Sequence, residues 1–169
     1  MNQKIKLKCF YDIRYIEADH VADYLAGLSA PYKWRTSIKN MIPDAAKNTF
    51  LDSIYSGTWY MGLIDGTGFT ALDLGDTMAA HAGWTEFTGY TQSNRLTITF
   101  DNASAASKTL LNEASFQINT NGTINGAFIS SNNTKSGTTG TLASQGSFAD
   151  SRIVSSGGLL NANYTIYIA

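Results

Sequence analysis

From Thr58 onward the chain repeats one pattern: short runs that alternate apolar and polar residues, separated by Asn, Gly, Ser and Thr. "RLTITF" sets Leu96, Ile98 and Phe100 on one side and Arg95, Thr97 and Thr99 on the other. "ASFQIN" alternates through Phe116 and Ile118, and "LNANYTIYIA" through Tyr164, Ile166 and Ile168. Successive side chains of a strand point to opposite faces, so a period of two marks a half-buried strand. "GTINGAFIS" is apolar at both parities, as a central strand would be. "TWYMGLI", "TEF" and "TGTLASQGSF" read as further short strands, and "SSNNTKSGTTG" (130–140) as an exposed loop. Strands at such close intervals predict a mainly β fold: an antiparallel β-sandwich, jelly-roll-like, over residues 57–169.

Residues 1–56 read as a separate N-terminal arm with helices. Lys4, Lys6 and Lys8 alternate with Ile5, Leu7 and Cys9, which predicts an edge strand or extended arm. Glu17–Leu28 places Val21, Tyr24, Leu25 and Leu28 on one helical face, with Gly27 as its stop. Residues 31–42 suggest a second helix. "PDAAKNTFLDSIYSG" predicts a third, with Pro43 in the first turn, Ala45, Phe50, Leu51, Ile54 and Tyr55 on one face, and Gly57 closing it.

Charge is sparse and unevenly placed. Only 15% of the 169 residues are charged, below the roughly 25% of an average soluble domain. Residues 1–48 carry eight basic groups against five acidic, a net +3, and residues 49–169 four against eight, a net −4. Eight cations offset by five acids are too dilute for a phosphate-tracking groove, so no nucleic-acid partner is expected. A low-charge surface rich in Thr, Asn and aromatics instead suits one covered by neighbouring proteins. The single cysteine, Cys9, permits no internal disulfide. No apolar run reaches the length of a membrane span, and no signal-like segment opens the chain, so a cytoplasmic origin is expected.

The densest chemistry is "HAGWTEFTGY" (81–90). A hydrolase needs a nucleophile with a base, or two spaced carboxylates. The chain has only His20 and His81, neither in a recognisable catalytic motif. No enzyme, metal or other cofactor is therefore expected. Asp65, Asp73 and Asp76 flank a Gly-rich loop without calcium-loop spacing, which predicts turn formation. Trp59, Tyr60, Trp84, Phe87 and Tyr90 are candidates for core or interface packing, and also for stacking on sugar. Trp84 and Phe87 are expected inside, with Gly83 turning the chain and His81 and Glu86 holding the preceding loop by hydrogen bonds.

Several of these segments together resemble a family of tailed-bacteriophage virion proteins. The matching residues are Thr58, Tyr60, Gly62 and Leu63, then Gly75, Asp76, Thr77, Met78, His81, Gly83, Trp84, Thr85 and Glu86. Gly122, Gly126, Phe128, Leu142, Phe148, Tyr164 and Ile166 continue the pattern, which spans roughly residues 44–168. The chain departs from it at "SSGGLLNANYTI", where the family often has AGD, and in carrying the extension 1–43. The resemblance implies a structural virion protein with no catalytic residues. The expected role is capsid decoration, or cement, with the major capsid protein or other virion proteins as partner and a dimer or trimer as the working unit. The alternative is a tail or fibre module that binds host glycan. Docking is expected through the arm, with Lys4, Lys6, Lys8, Arg14, Trp34 and Arg35 as candidates. No membrane partner is expected.

Overall fold

Eleven strands and two α-helices account for the ordered elements of the computed structural model, which describes residues 10–28, 32–39 and 41–168. Strand takes 43% of the described residues and helix 12%, so the molecule is mainly β, and its sheets are antiparallel. The expectations placed on Lys4, Lys6, Lys8 and Cys9 lie outside the described residues.

The largest sheet has the order β4 (Glu86–Phe87), β3 (Trp59–Asp65), β8 (Gly122–Ser130), β9 (Leu142–Val154), with β5 (Leu96–Ile98) on the same side of β3 as β4. β3 and β8 are central and buried on both faces, as the sequence predicts for β8. Their register sets Met61 opposite Ile129, Gly62 opposite Phe128, and Leu63 opposite Ala127. Met61, Leu63 and Ile129 therefore share one face, while Ile64 and Phe128 share the other.

On the first face Met61, Leu63, Ile124 and Ile129 pack with Phe87, Ile98, Leu110, Phe116 and Ile118 into the main core. Two further antiparallel pairs lie outside that sheet: β7 (Ala114–Gln117) with β10 (Leu159–Ala162), which gives Ala114 and Phe116 to this core, and β6 (Ser107–Thr109) with β11 (Thr165–Tyr167), whose Ile166 packs in a separate cluster. On the second face Ile64, Met78, Trp84 and Phe128 form a smaller cluster under the 66–84 loop. Gly126 lets β9 approach β8 closely, since a Cβ there would lie 1.9 Å from the Gly146 carbonyl oxygen.

Helix α2 (Asp44–Ile54) forms where expected and is fastened at one end of the sheets. Leu51 and Tyr55 are buried against Ile166 and Ile168, with Trp59, Phe100 and Tyr164 completing an aromatic cluster. Phe50 and Ile54 turn to solvent, so the apolar face is narrower than the sequence implied. Burial holds the Tyr55 phenol well above the usual tyrosine range.

The arm differs most from expectation. The helix expected over residues 31–42 is a strand, β2 (Trp34–Lys39), paired antiparallel with β1 (Phe10–Tyr15) over six residues. Aromatic and β-branched residues favour the pleated form, and Trp34 stacks on its partner Tyr15 at 5.6 Å. The helix expected over 17–28 shortens to a 3-10 turn (Ala18–His20) and α1 (Val21–Leu25). Val21, Tyr24, Leu25 and Leu28, expected on one helical face, are all exposed.

Candidate functional site

The HAGWTEFTGY segment crosses from one face of the large sheet to the other. Phe87 pairs with Leu63 and Glu86 with Ile64. One residue of offset therefore sends Phe87, and Tyr90 after it, into the main core, and Glu86 toward the Trp84–Phe128 cluster. Trp84 is 3% exposed. Its ring stacks on His81 at 3.9 Å and tilts against Phe128 at 5.0 Å.

Polar groups around Trp84 hold the loop before it. Trp84 Nε1 donates to Asp76 Oδ2 (3.1 Å), which also accepts from Gln145 Nε2 (3.0 Å) and from the Asp73 backbone N–H (3.0 Å). The Asp73 amide, with the Gln145 and Trp84 donors, keeps the Asp76 carboxyl below the usual carboxylate range. His81 Nδ1 donates to the Trp84 carbonyl (2.8 Å), which closes its own turn and leaves the hold on the preceding loop to Trp84 and Asp76. Gly83 is required by close approach, because a Cβ would lie 2.0 Å from the Ala71 carbonyl oxygen. Asp65 and Asp73 each accept a backbone N–H two residues on, at 2.7 Å, which makes both of them turn formers.

Glu86 does something the sequence did not suggest. It holds the later 131–140 loop, through Arg95. Arg95 is 3% exposed although its alternation in RLTITF puts it on the polar side. Its Nε and Nη2 donate to the two Glu86 oxygens at 3.0 and 2.8 Å. Nη1 donates to Ser130 Oγ (3.2 Å) and the Asn132 carbonyl (2.9 Å), and Nη2 also to the Gly137 carbonyl (3.0 Å). Glu86 Oε2 accepts the Ser136 N–H at 2.6 Å. The guanidinium lies 5.0 Å from the centre of the Phe128 ring. Gly62 makes room for that ring, since a Cβ there would come 2.5 Å from it. A cavity of about 230 Å³ borders the pair, lined by Met78, His81, Ser136 and Thr138 among others.

Lys135 fastens the same loop elsewhere. Its Nζ donates to the Thr88 (3.0 Å) and Tyr90 (2.7 Å) carbonyls and sits 3.6 Å over the Tyr90 ring. Burial lowers the Lys135 amine below the ordinary lysine value. Burial likewise raises the Tyr90 phenol, whose hydroxyl has no hydrogen-bond partner among the described residues. The loop expected to be exposed is largely so, and is pinned from beneath by two cations. The sequence signal was scarcity: of the four basic residues after position 48, Arg95, Lys108 and Lys135 all reach inward, and only Arg152 is exposed.

Trp59 and Tyr60 do not join this site. Trp59 packs beside Tyr55 near α2, and Tyr60 pairs with Thr97. In the arm, Arg14 and Arg35 converge on Asp12, with Arg14 Nη2 at 2.6 Å and Arg35 Nε at 2.9 Å. The Arg35 and Arg14 guanidinium groups hold the Asp12 carboxyl below its usual value. Trp34 lies on the opposite face of the hairpin.

A groove of about 610 Å³ runs between β9 and the C-terminal strands. Phe148, Tyr164 and Tyr167 line it together with Gln145, Asn163 and Thr165. Among the described residues no three His, Cys, Asp or Glu side chains gather as a metal site requires, and no helix is long and apolar enough to cross a membrane. No protein-family model matches the chain, and no curated protein or solved structure matches it significantly.

Proposed function

We propose that this chain is a structural protein of a tailed-phage virion that works by attachment, as a capsid decoration or cement protein on the major capsid protein. The observation that carries this reading is the use made of its reactive groups. Glu86, Asp76 and His81 are the side chains a reaction would draw on, and each already fastens a loop. The hairpin, by contrast, exposes aromatic and basic side chains for contact. The resemblance across residues 44–168 points the same way. On this reading the strands form two layers of a jelly-roll-like sandwich around the main core. The Arg14–Asp12–Arg35 face and the lysines at 4, 6 and 8 meet the shell, and many copies on a lattice make modest contacts sufficient. Co-sedimentation with capsids tests it: removing residues 1–43 is expected to abolish binding while 44–169 stays folded. Binding that survives the deletion overturns the arm's role.

A second reading, a tail or fibre module for host glycan, draws on the groove, where three aromatic rings stand among amide and hydroxyl groups. A glycan array decides it: a sugar ligand lost in Tyr167→Ala supports this reading, and an array without ligands removes it.

A further inference from the structure

The β1–β2 hairpin has two unlike faces. Register places Tyr11 opposite Ile38, Ile13 opposite Thr36, and Tyr15 opposite Trp34. These six side chains share one face, and none carries a charge. The charged residues Asp12, Arg14 and Arg35 lie on the other. Tyr32 joins that second face through its hydroxyl, which accepts from Arg14 Nη1 at 3.3 Å. On the uncharged face Tyr11 is 56% exposed, Trp34 48% and Ile38 49%. Among the described residues from 11 to 38, none is buried. A two-stranded hairpin without a packed face is marginal in water, so this one needs a cover.

We infer that the cover is the same face of a second copy, giving a two-fold dimer in which two hairpins stack into a four-stranded, two-layered unit. Two observations choose that occupant. In a two-fold contact the same patch must complement itself, and a face without charge does so with no ion left to pair. The area also fits. Half-exposed aromatics of this size leave about 100 Å² open each, so the five apolar side chains present roughly 500 Å². Two such faces remove about 1,000 Å² from water, the lower bound for a specific interface. The dimer leaves both Arg14–Asp12–Arg35 faces outward, which would double the basic surface the arm offers. It also moves Trp34 from shell contact to dimer contact. The pairing does not depend on the virion reading and is tested without capsids.

Sedimentation equilibrium of the full chain is expected to show a dimer. Trp34→Glu should weaken it about 100-fold or more, with the thermal melting of the β body unchanged. A second pair of variants keeps the five apolar side chains of that face intact. In a Cys9→Ser background, Thr36→Cys should cross-link between copies with a short bismaleimide, and Ser37→Cys, on the charged face, should not. A chain that stays monomeric at high micromolar concentration overturns the pairing. So does a dimer that survives Trp34→Glu and cross-links equally through positions 36 and 37.

Discussion

Arg95 shows how a single side chain can organise two distant segments. Its five donors meet Glu86, Ser130, Asn132 and Gly137, so one guanidinium ties β4 to the β8–β9 loop. A buried pair loses more when one partner is removed than when both are replaced, because the survivor is left charged in an apolar site. Arg95→Ala should therefore cost about 3–5 kcal/mol in denaturant unfolding, and Arg95→Met with Glu86→Leu markedly less. Trp84→Ala should cost about 3–5 kcal/mol by the same measurement, since it empties the cluster on Phe128. Tyr90→Phe should be neutral or slightly stabilising, as it deletes a buried hydroxyl with no partner while keeping the ring under Lys135. Asp76 supplies a pH signature. Its folded-state value is depressed, so its contribution is present above the ordinary carboxylate value of about 3.9 and is lost as pH falls through the folded value. Tryptophan fluorescence should stay flat down to about pH 4 and change below it, and Asp76→Asn should remove that transition.

Among the elements, the turn joining β6 to the segment before it carries strain that α2 relieves. Ser104 and Ser107 exchange backbone hydrogen bonds around Ala105 and Ala106, whose φ angles are 50° and 57°. Two positive φ values are what a type I′ hairpin requires, and Asn-Gly meets that need better than Ala-Ala. Asn48 of α2 accepts the Ala106 N–H at 2.9 Å, and Asp52 accepts the Ala103 N–H at 2.9 Å and pairs with Lys108. Replacing Ala105-Ala106 with Asn-Gly should raise stability by about 1–2 kcal/mol in thermal melts. The sequence missed β6 because Ser107–Thr109 is three residues with no apolar member and pairs only through β11. It missed β2 because Trp34, Thr36 and Ile38 alternate between Arg35, Ser37 and Lys39, and six residues beside a proline fit either period. β3, β5, β7 and β8 were legible because burial on one or both faces writes a period into the chain.

For the whole molecule, the described part of the arm shares no buried residue with the body, whereas α2 supplies Leu51 and Tyr55 to it. Helix α2, read with the arm in the sequence, thus packs on the β body. A chain starting at Asp44 should unfold cooperatively with nearly the full-length melting temperature, whereas Leu51→Ala should lower stability by about 2–5 kcal/mol. The place of β3, β5, β7, β8 and β9 along the chain, the antiparallel class and most apolar core positions followed from the sequence alone, because alternation and turn residues act within a few neighbours. Which face each strand presents, the pairing of Glu86 with Arg95, and the inward turn of three of four late cations were decided only in the folded molecule. Those choices depend on register across residues far apart in sequence, and a shift of one position reverses every side chain.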